Sequence, residues 1–179
     1  FDPFETMEDI AVARDQSDYV IVMYHGGKEQ SRYPSPRLRK ACQAMVRAGA
    51  NLILCQHSHC IGAREAYRNS EILYGQGNFN FVKYIDHPHW MEGLLVQLDL
   101  DEKMKASVTY HPVVVTDEGV TLAAGEKRKQ VLDELAERSL HLLDEKAWLQ
   151  QWHDFCLGLA DSYRMAIARA FPDPDNPVP

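Results

Sequence analysis

Nowhere in the 179 residues do 18 apolar side chains run together, so the sequence holds no membrane-spanning helix of its own. Basic residues are the minority: 19 Lys and Arg stand against 26 Asp and Glu, a formal net charge of −7. That balance excludes the electrostatic footprint of a protein that grips a nucleic-acid backbone or an anionic membrane surface. Cysteine is sparse as well. Cys42, Cys55, Cys60 and Cys156 are too few for a disulfide scaffold in a chain this long, and they read as free thiols or, for Cys55 and Cys60, as one local disulfide. Internal repeats and low-complexity tracts are missing. So are the basic start and apolar middle of a signal peptide: the chain opens FDPFETMEDI, without an initiator methionine, in a Pro-containing, turn-like sequence. The chain is expected to be a piece of a longer protein, and its localisation is not legible from this end.

What is present is ordinary globular composition, 45% hydrophobic and 25% charged, with enough chain to bury a core as one domain. Residues 18–24, DYVIVMY, are a β-branched and aromatic run with almost no polar break, the pattern of a strand covered on both faces. Ser35-Pro36 offers a helix start and Gly49 a stop, and Leu38, Cys42, Met45 and Val46 recur between them at helical spacing. Asn51 to Leu54 is a second buried strand. A strand–helix–strand unit crosses over right-handedly with parallel strands, which puts both C-terminal strand ends on one edge, where open α/β sheets place ligands. His25 follows the first strand end; His57 and His59 follow the second. EILYG leads into Gln76-Gly77-Asn78-Phe79 as a third strand and loop. GLLVQLDL and ASVTYHPVVV flank DEKMK as an antiparallel pair, which makes the sheet mixed. Helical spacing comes next, around Val131, Leu132 and Leu135 and then from Trp148 to Ile167, where the aromatic stripe reads as core packing or partner docking. The proline-rich end is expected to be a loose tail.

The stretch CQHSHC, residues 55–60, holds the densest chemistry. In an extended segment His57 and His59 share a side with Cα atoms roughly 6.5 to 7 Å apart, a spacing that suits one imidazole on each metal of a binuclear centre. A compact zinc site of Cys55, His57, His59 and Cys60, two plain loop histidines, and a thiol redox pair of Cys55 and Cys60 are the competing readings. Asn78 is placed to donate its amide to a substrate oxygen or to cap its own loop, and Glu29 to orient His25 or to face solvent. Lys28 reads as a solvated loop charge, and His87 and His89 as surface residues.

Taken together, three ordered segments resemble a family. HGGKE after DYVIVMY resembles the HWGxE segment of the bacterial capsule-synthesis CapA proteins, also called poly-γ-glutamate synthesis (PGA_cap) proteins. GANLILCQHSHCIG resembles their GADLVxGxHxH, and ILYGQGNFNF their IxYSLGNFxF, so the likeness covers roughly residues 18–115. A glycine stands for the usual tryptophan in the first segment, and Cys55 for the glycine that opens the second.

The resemblance implies a fold related to the calcineurin-like metallophosphoesterases: α/β, a mixed sheet flanked by helices, part of an α/β/β/α sandwich with a C-terminal helical extension. The expected divisions are 1–120 for the C-terminal half of that domain, 121–171 for the helices and 172–179 for a disordered tail. The resemblance further implies two divalent metal ions, Mn, Zn or Fe, in the full-length protein, with His25 and His57 as ligands of one and His59 of the other. The superfamily's bridging ligands come from Asp-x-His, Gly-Asp and Asn-His motifs, none of which precedes His25. They are expected upstream, which makes the N-terminal half of the same protein the first partner and leaves this chain inactive alone. The implied activity is metal-dependent hydrolysis of a phosphoester or related bond in poly-γ-glutamate capsule biosynthesis. The alternative is a non-catalytic module that binds polymer or capsule-synthesis subunits. The setting is bacterial, cytoplasmic or, where the full-length protein carries an anchor, extracytoplasmic and membrane-associated.

Overall fold

The structure, a computed structural model, describes residues 2–81, 87 and 89–170; the expected tail at 172–179 lies outside them. Helix α1, Pro3–Gln16, occupies the start that the sequence suggested was turn-like. The same Asp-Pro pair explains both readings. The Asp2 carboxylate accepts the Phe4 and Glu5 amides at 2.8 and 3.2 Å, and Pro3 sits in the first turn, where a missing N–H costs nothing.

Strand β1, Ile21–His25, helix α2, Pro36–Ala48, and strand β2, Leu52–Gln56, form the expected parallel crossover, in register from Ile21 opposite Leu52 to His25 opposite Gln56. The Ser35 hydroxyl accepts the Leu38 amide at 3.1 Å to start α2, and Gly49, at φ 135°, ends it. Strands β3, Arg64–Tyr67, and β4, Ser70–Leu73, are an antiparallel hairpin whose second strand lies parallel to β2. The resulting sheet, ordered β1-β2-β4-β3, is mixed.

The later strands do not extend that sheet. Strands β5, Glu92–Leu100, β6, Ala106–Thr116, and β7, Gly119–Leu122, make a second, antiparallel sheet. Helices α3, Gly125–His141, and α4, Glu145–Ala170, complete the described chain, and none of its helices is long and apolar enough to cross a membrane. One core packs α1, α2 and the start of α4 on the first sheet through Ile10, Met45, Ile53, Ile72 and Trp148. The other lies between the two sheets and α3, through Leu54, Leu73, Leu94, Tyr110, Val131 and Leu135.

Two glycines hold the sheets together. Gly77 bridges Gly93, with Asn78 N–H donating to the Glu92 carbonyl at 2.9 Å and Leu94 N–H to the Gln76 carbonyl at 2.8 Å. A Cβ on Gly77, which has φ 73°, would lie 2.4 Å from the Glu92 carbonyl oxygen, and one on Gly93 2.0 Å from that of Asn78. Only backbone without side chains passes that closely.

An ion pair between partly buried Arg39 and buried Glu65 ties α2 to the hairpin. Glu65 accepts from the Arg39 guanidinium at 2.7 Å, from Gln43 Nε2 at 2.9 Å and from the Tyr74 hydroxyl at 2.5 Å, while Arg39 also stacks on Trp148. Strand β1, by contrast, is open on one side. Ile21 and Met23 are 46% and 57% exposed, because β1 is the edge strand and the second sheet does not reach over it. Among the described residues no strand pairs with its outer edge. The expectation of a strand covered on both faces is therefore corrected.

Candidate metal centre

The strand ends of β1 and β2 deliver their histidines to one cleft of about 410 Å³, lined by His25, His57 and His59 on one side and by Phe79, Phe81 and Leu94 on another. Backbone bonds lock the loops around it. Gln30 N–H donates to the Ser58 carbonyl at 2.8 Å, and Gln76 N–H to the Cys55 carbonyl at 3.1 Å. The Gln56 amide donates to Gln76 Oε1 at 3.0 Å, joining two strand ends by side chains as well.

The segment from His57 to His59 is not extended. Both histidines have left-handed backbones, at φ 88° and 56°, a conformation that costs a residue with a Cβ about 1 to 2 kcal/mol. The alternation expected of a strand thus gives way to a tight double reversal that aims both rings at the cleft. The His57 ring centroid lies 5.2 Å from that of His25 and 6.2 Å from that of His59. Glu29 reaches His57 rather than His25: its Oε1 is 3.9 Å from His57 Nε2.

His59 is the most firmly held of the three. Its Nδ1 is 2.8 Å from Asn78 Oδ1, and the Asn78 amide nitrogen donates to the Trp90 carbonyl at 2.9 Å. The donation to Trp90 fixes which end of the amide faces His59, so the imidazole bears its proton on Nδ1 and leaves the Nε2 lone pair free. Trp90 also stacks on the ring at 4.5 Å and 24°, with Phe81 at 5.2 Å. Asn78 is 6% exposed, and its amide is spent on Trp90 rather than turned to the cleft.

The cysteines frame this site without facing it. A hydrogen bond with Cys42 and burial both push the Cys55 thiol up, and burial pushes Cys60 up to about 11, so both keep their protons at neutral pH. Cys55 lies in the first core. His89 is not a plain surface residue: its Nε2 meets the Arg32 guanidinium at 3.1 Å and its Nδ1 faces Glu92 at 3.4 Å. His87 is exposed. Lys28 lies over the Tyr163 ring, 4.7 Å from its centroid, and donates to that hydroxyl. The aromatic stripe of α4 divides, with Trp148 buried and Tyr163 half exposed.

Chemically, three imidazoles with one loose carboxylate suit a borderline divalent ion such as zinc or iron. They fall short of closing a shell around it: among the described residues no three His, Cys, Asp or Glu side chains are grouped to hold one ion. The donor set fits part of a metal centre and lacks the carboxylates that would bridge a pair. Sequence reasoning missed the aromatic wall of Phe81 and Trp90. Trp90 stands far along the chain from CQHSHC, and the Gly77–Gly93 bridge with the Asn78 bond to its carbonyl brings it alongside.

Residues 2–83 match the family described as bacterial capsule synthesis protein PGA_cap. The capsule biosynthesis protein CapA of Bacillus anthracis is 36% identical over 83 residues, 44% of this chain and 20% of that protein. The PGA biosynthesis protein CapA of Bacillus subtilis (strain 168) is 38% identical over 72 residues, 40% of this chain and 19% of that protein. The matched stretch thus spans about a fifth of the length of these curated relatives.

Proposed function

We propose, from the match of residues 2–83 to the PGA_cap family, that the chain serves poly-γ-glutamate capsule biosynthesis by supplying the histidine side of a divalent-metal centre. The observation that carries the reading is the convergence of His25, His57 and His59 from two parallel strand ends on one cleft. His59 offers Nε2, and His57 lies between the other two rings. A metal bound there would polarise a phosphoryl or related oxygen and acidify a bound water. The protein's own part is to hold the imidazoles aimed, with Asn78 and Trp90 fixing His59, and to line the opposite wall with Phe79, Phe81 and Leu94. The missing carboxylate donors belong to sequence outside this chain. The same outside sequence would cover the open side of β1, where Ile21 and Met23 present an apolar strip beside an unpaired strand edge.

The test is calorimetric titration of Zn²⁺ and Mn²⁺ into the chain beside His57→Ala and His59→Ala. Binding that weakens sharply in both variants, with unchanged far-UV circular dichroism, is the expected result. Isotherms identical to the parent overturn the ligand assignment.

A second reading is favoured by the open β1 face together with the incomplete donor set: a non-catalytic module that docks a partner of the capsule machinery on this scaffold. It predicts no specific metal uptake even when a longer chain supplies the acidic donors.

A further inference from the structure

Cys42 on α2 and Cys55 on β2 face one another in the first core, with sulfurs 3.6 Å apart and both residues 0% exposed. They sit 13 positions apart in sequence, on two elements packed together around Met45 and Ile53. Among the described residues no other two thiols lie within hydrogen-bonding reach; Cys60 is in the loop beyond β2, and Cys156 is exposed on α4. A disulfide bond is about 2.0 Å long, so the two sulfurs need to approach by about 1.5 Å.

We propose that Cys42 and Cys55 are the site of a disulfide that staples α2 to β2 when the chain folds in an oxidising environment. The oxidant is a low-molecular-weight disulfide such as oxidised glutathione. One cysteine, as thiolate, attacks a glutathione sulfur and expels a glutathione thiolate, leaving a mixed disulfide. The second cysteine attacks the cysteine sulfur of that intermediate and expels the other glutathione. Two protein thiols give up two protons and two electrons, which depart on two molecules of reduced glutathione. Because both sulfurs are sealed in the finished core, the exchange precedes the closing of α2 on β2, and the completed bridge is shielded from reductants.

The staple acts on the strand that runs directly into Gln56 and His57. In the loop-closure account, a ring of this size raises the ratio of folded to unfolded chain about a hundredfold. It also pins the strand end against the helix, so the histidine turn is anchored from behind.

The test uses the full chain, unfolded in reductant, refolded with excess oxidised glutathione, then denatured, alkylated and peptide-mapped without reductant. The expected product is a linked pair of peptides carrying Cys42 and Cys55, lighter than the reduced pair by two hydrogens, with Cys60 and Cys156 alkylated. The oxidised sample should also unfold at higher urea than the reduced one. Four alkylated thiols, glutathione adducts without a bridge, a bridge to Cys60, or an unchanged urea midpoint each overturn the proposal.

Discussion

Asn78 and His59 act as one unit: the amide oxygen of the first lies 2.8 Å from Nδ1 of the second, and the amide nitrogen is anchored on the Trp90 carbonyl. The pairing turns the asparagine of a strand-end loop into the part that decides which imidazole nitrogen is bare. Hydrogen-bonded partners of this kind set the tautomer of histidines that hold metals.

Replacing Asn78 with Ala should therefore release the tautomer. Long-range ¹H–¹⁵N NMR of the parent chain should show His59 with its proton on Nδ1, and the variant should show both tautomers. Stability should fall by about 1 to 3 kcal/mol, because the Trp90 carbonyl loses a buried donor. An unaltered His59 spectrum would remove Asn78 from this role.

The left-handed backbone at His57 makes a second expectation. His57→Gly should be more stable than His57→Ala by about 1 kcal/mol in urea unfolding, since glycine adopts that conformation without a Cβ clash. Equal midpoints would mean that the turn relaxes once the imidazole is gone.

Glu65 sits at the junction of α2, β3 and β4 and carries Arg39, Gln43 and Tyr74. Glu65→Ala removes the carboxylate from a partly buried guanidinium that keeps only the Leu142 carbonyl and the Trp148 ring, and should cost about 1 to 3 kcal/mol. Glu65→Gln, which keeps an acceptor, should cost less. Similar losses for the two variants would assign the effect to packing rather than to charge.

Acid should weaken the fold through Glu134. Burial raises its carboxyl, but hydrogen bonds from Arg32 and Gln130 and the charges of Arg32 and Arg138 outweigh that and bring it from 4.5 down to about 2. A carboxyl depressed by folding adds stability that is complete above its unfolded value and is lost as pH falls through its folded value. The window here runs from about pH 5 to about pH 2. Glu134→Gln should flatten the fall of urea midpoint across that window, and a parallel slope would place the acid sensitivity elsewhere.

The strand–helix–strand order, the antiparallel pair at 93–115 and the late helices were legible because each depends on local patterning: apolar runs, a Ser-Pro start, helical spacing. The meeting of His25 with His57 was legible too, since parallel strands put their ends on one edge. Three things were not. The Asp-Pro start serves equally as a turn and as a helix cap, and only the length of the helix-forming run after Pro3 decides. The backbone of His57 to His59 is set by the bond from Gln30 to Ser58, a contact between loops far apart in the chain. The exposure of Ile21 and Met23 depends on how far the second sheet extends, which no residue of β1 encodes.

The contact between Gly77 and Gly93 divides the cleft into a part that evolution can rewrite and a part that it cannot. At the floor, any side chain would collide with a neighbouring carbonyl oxygen, so substitution is closed and the histidines keep one fixed backdrop. Phe79 and Asn80, just beyond it, are exposed and free of that restraint. Selectivity for one ligand over another can drift at this rim, residue by residue, without disturbing the frame that aims the imidazoles.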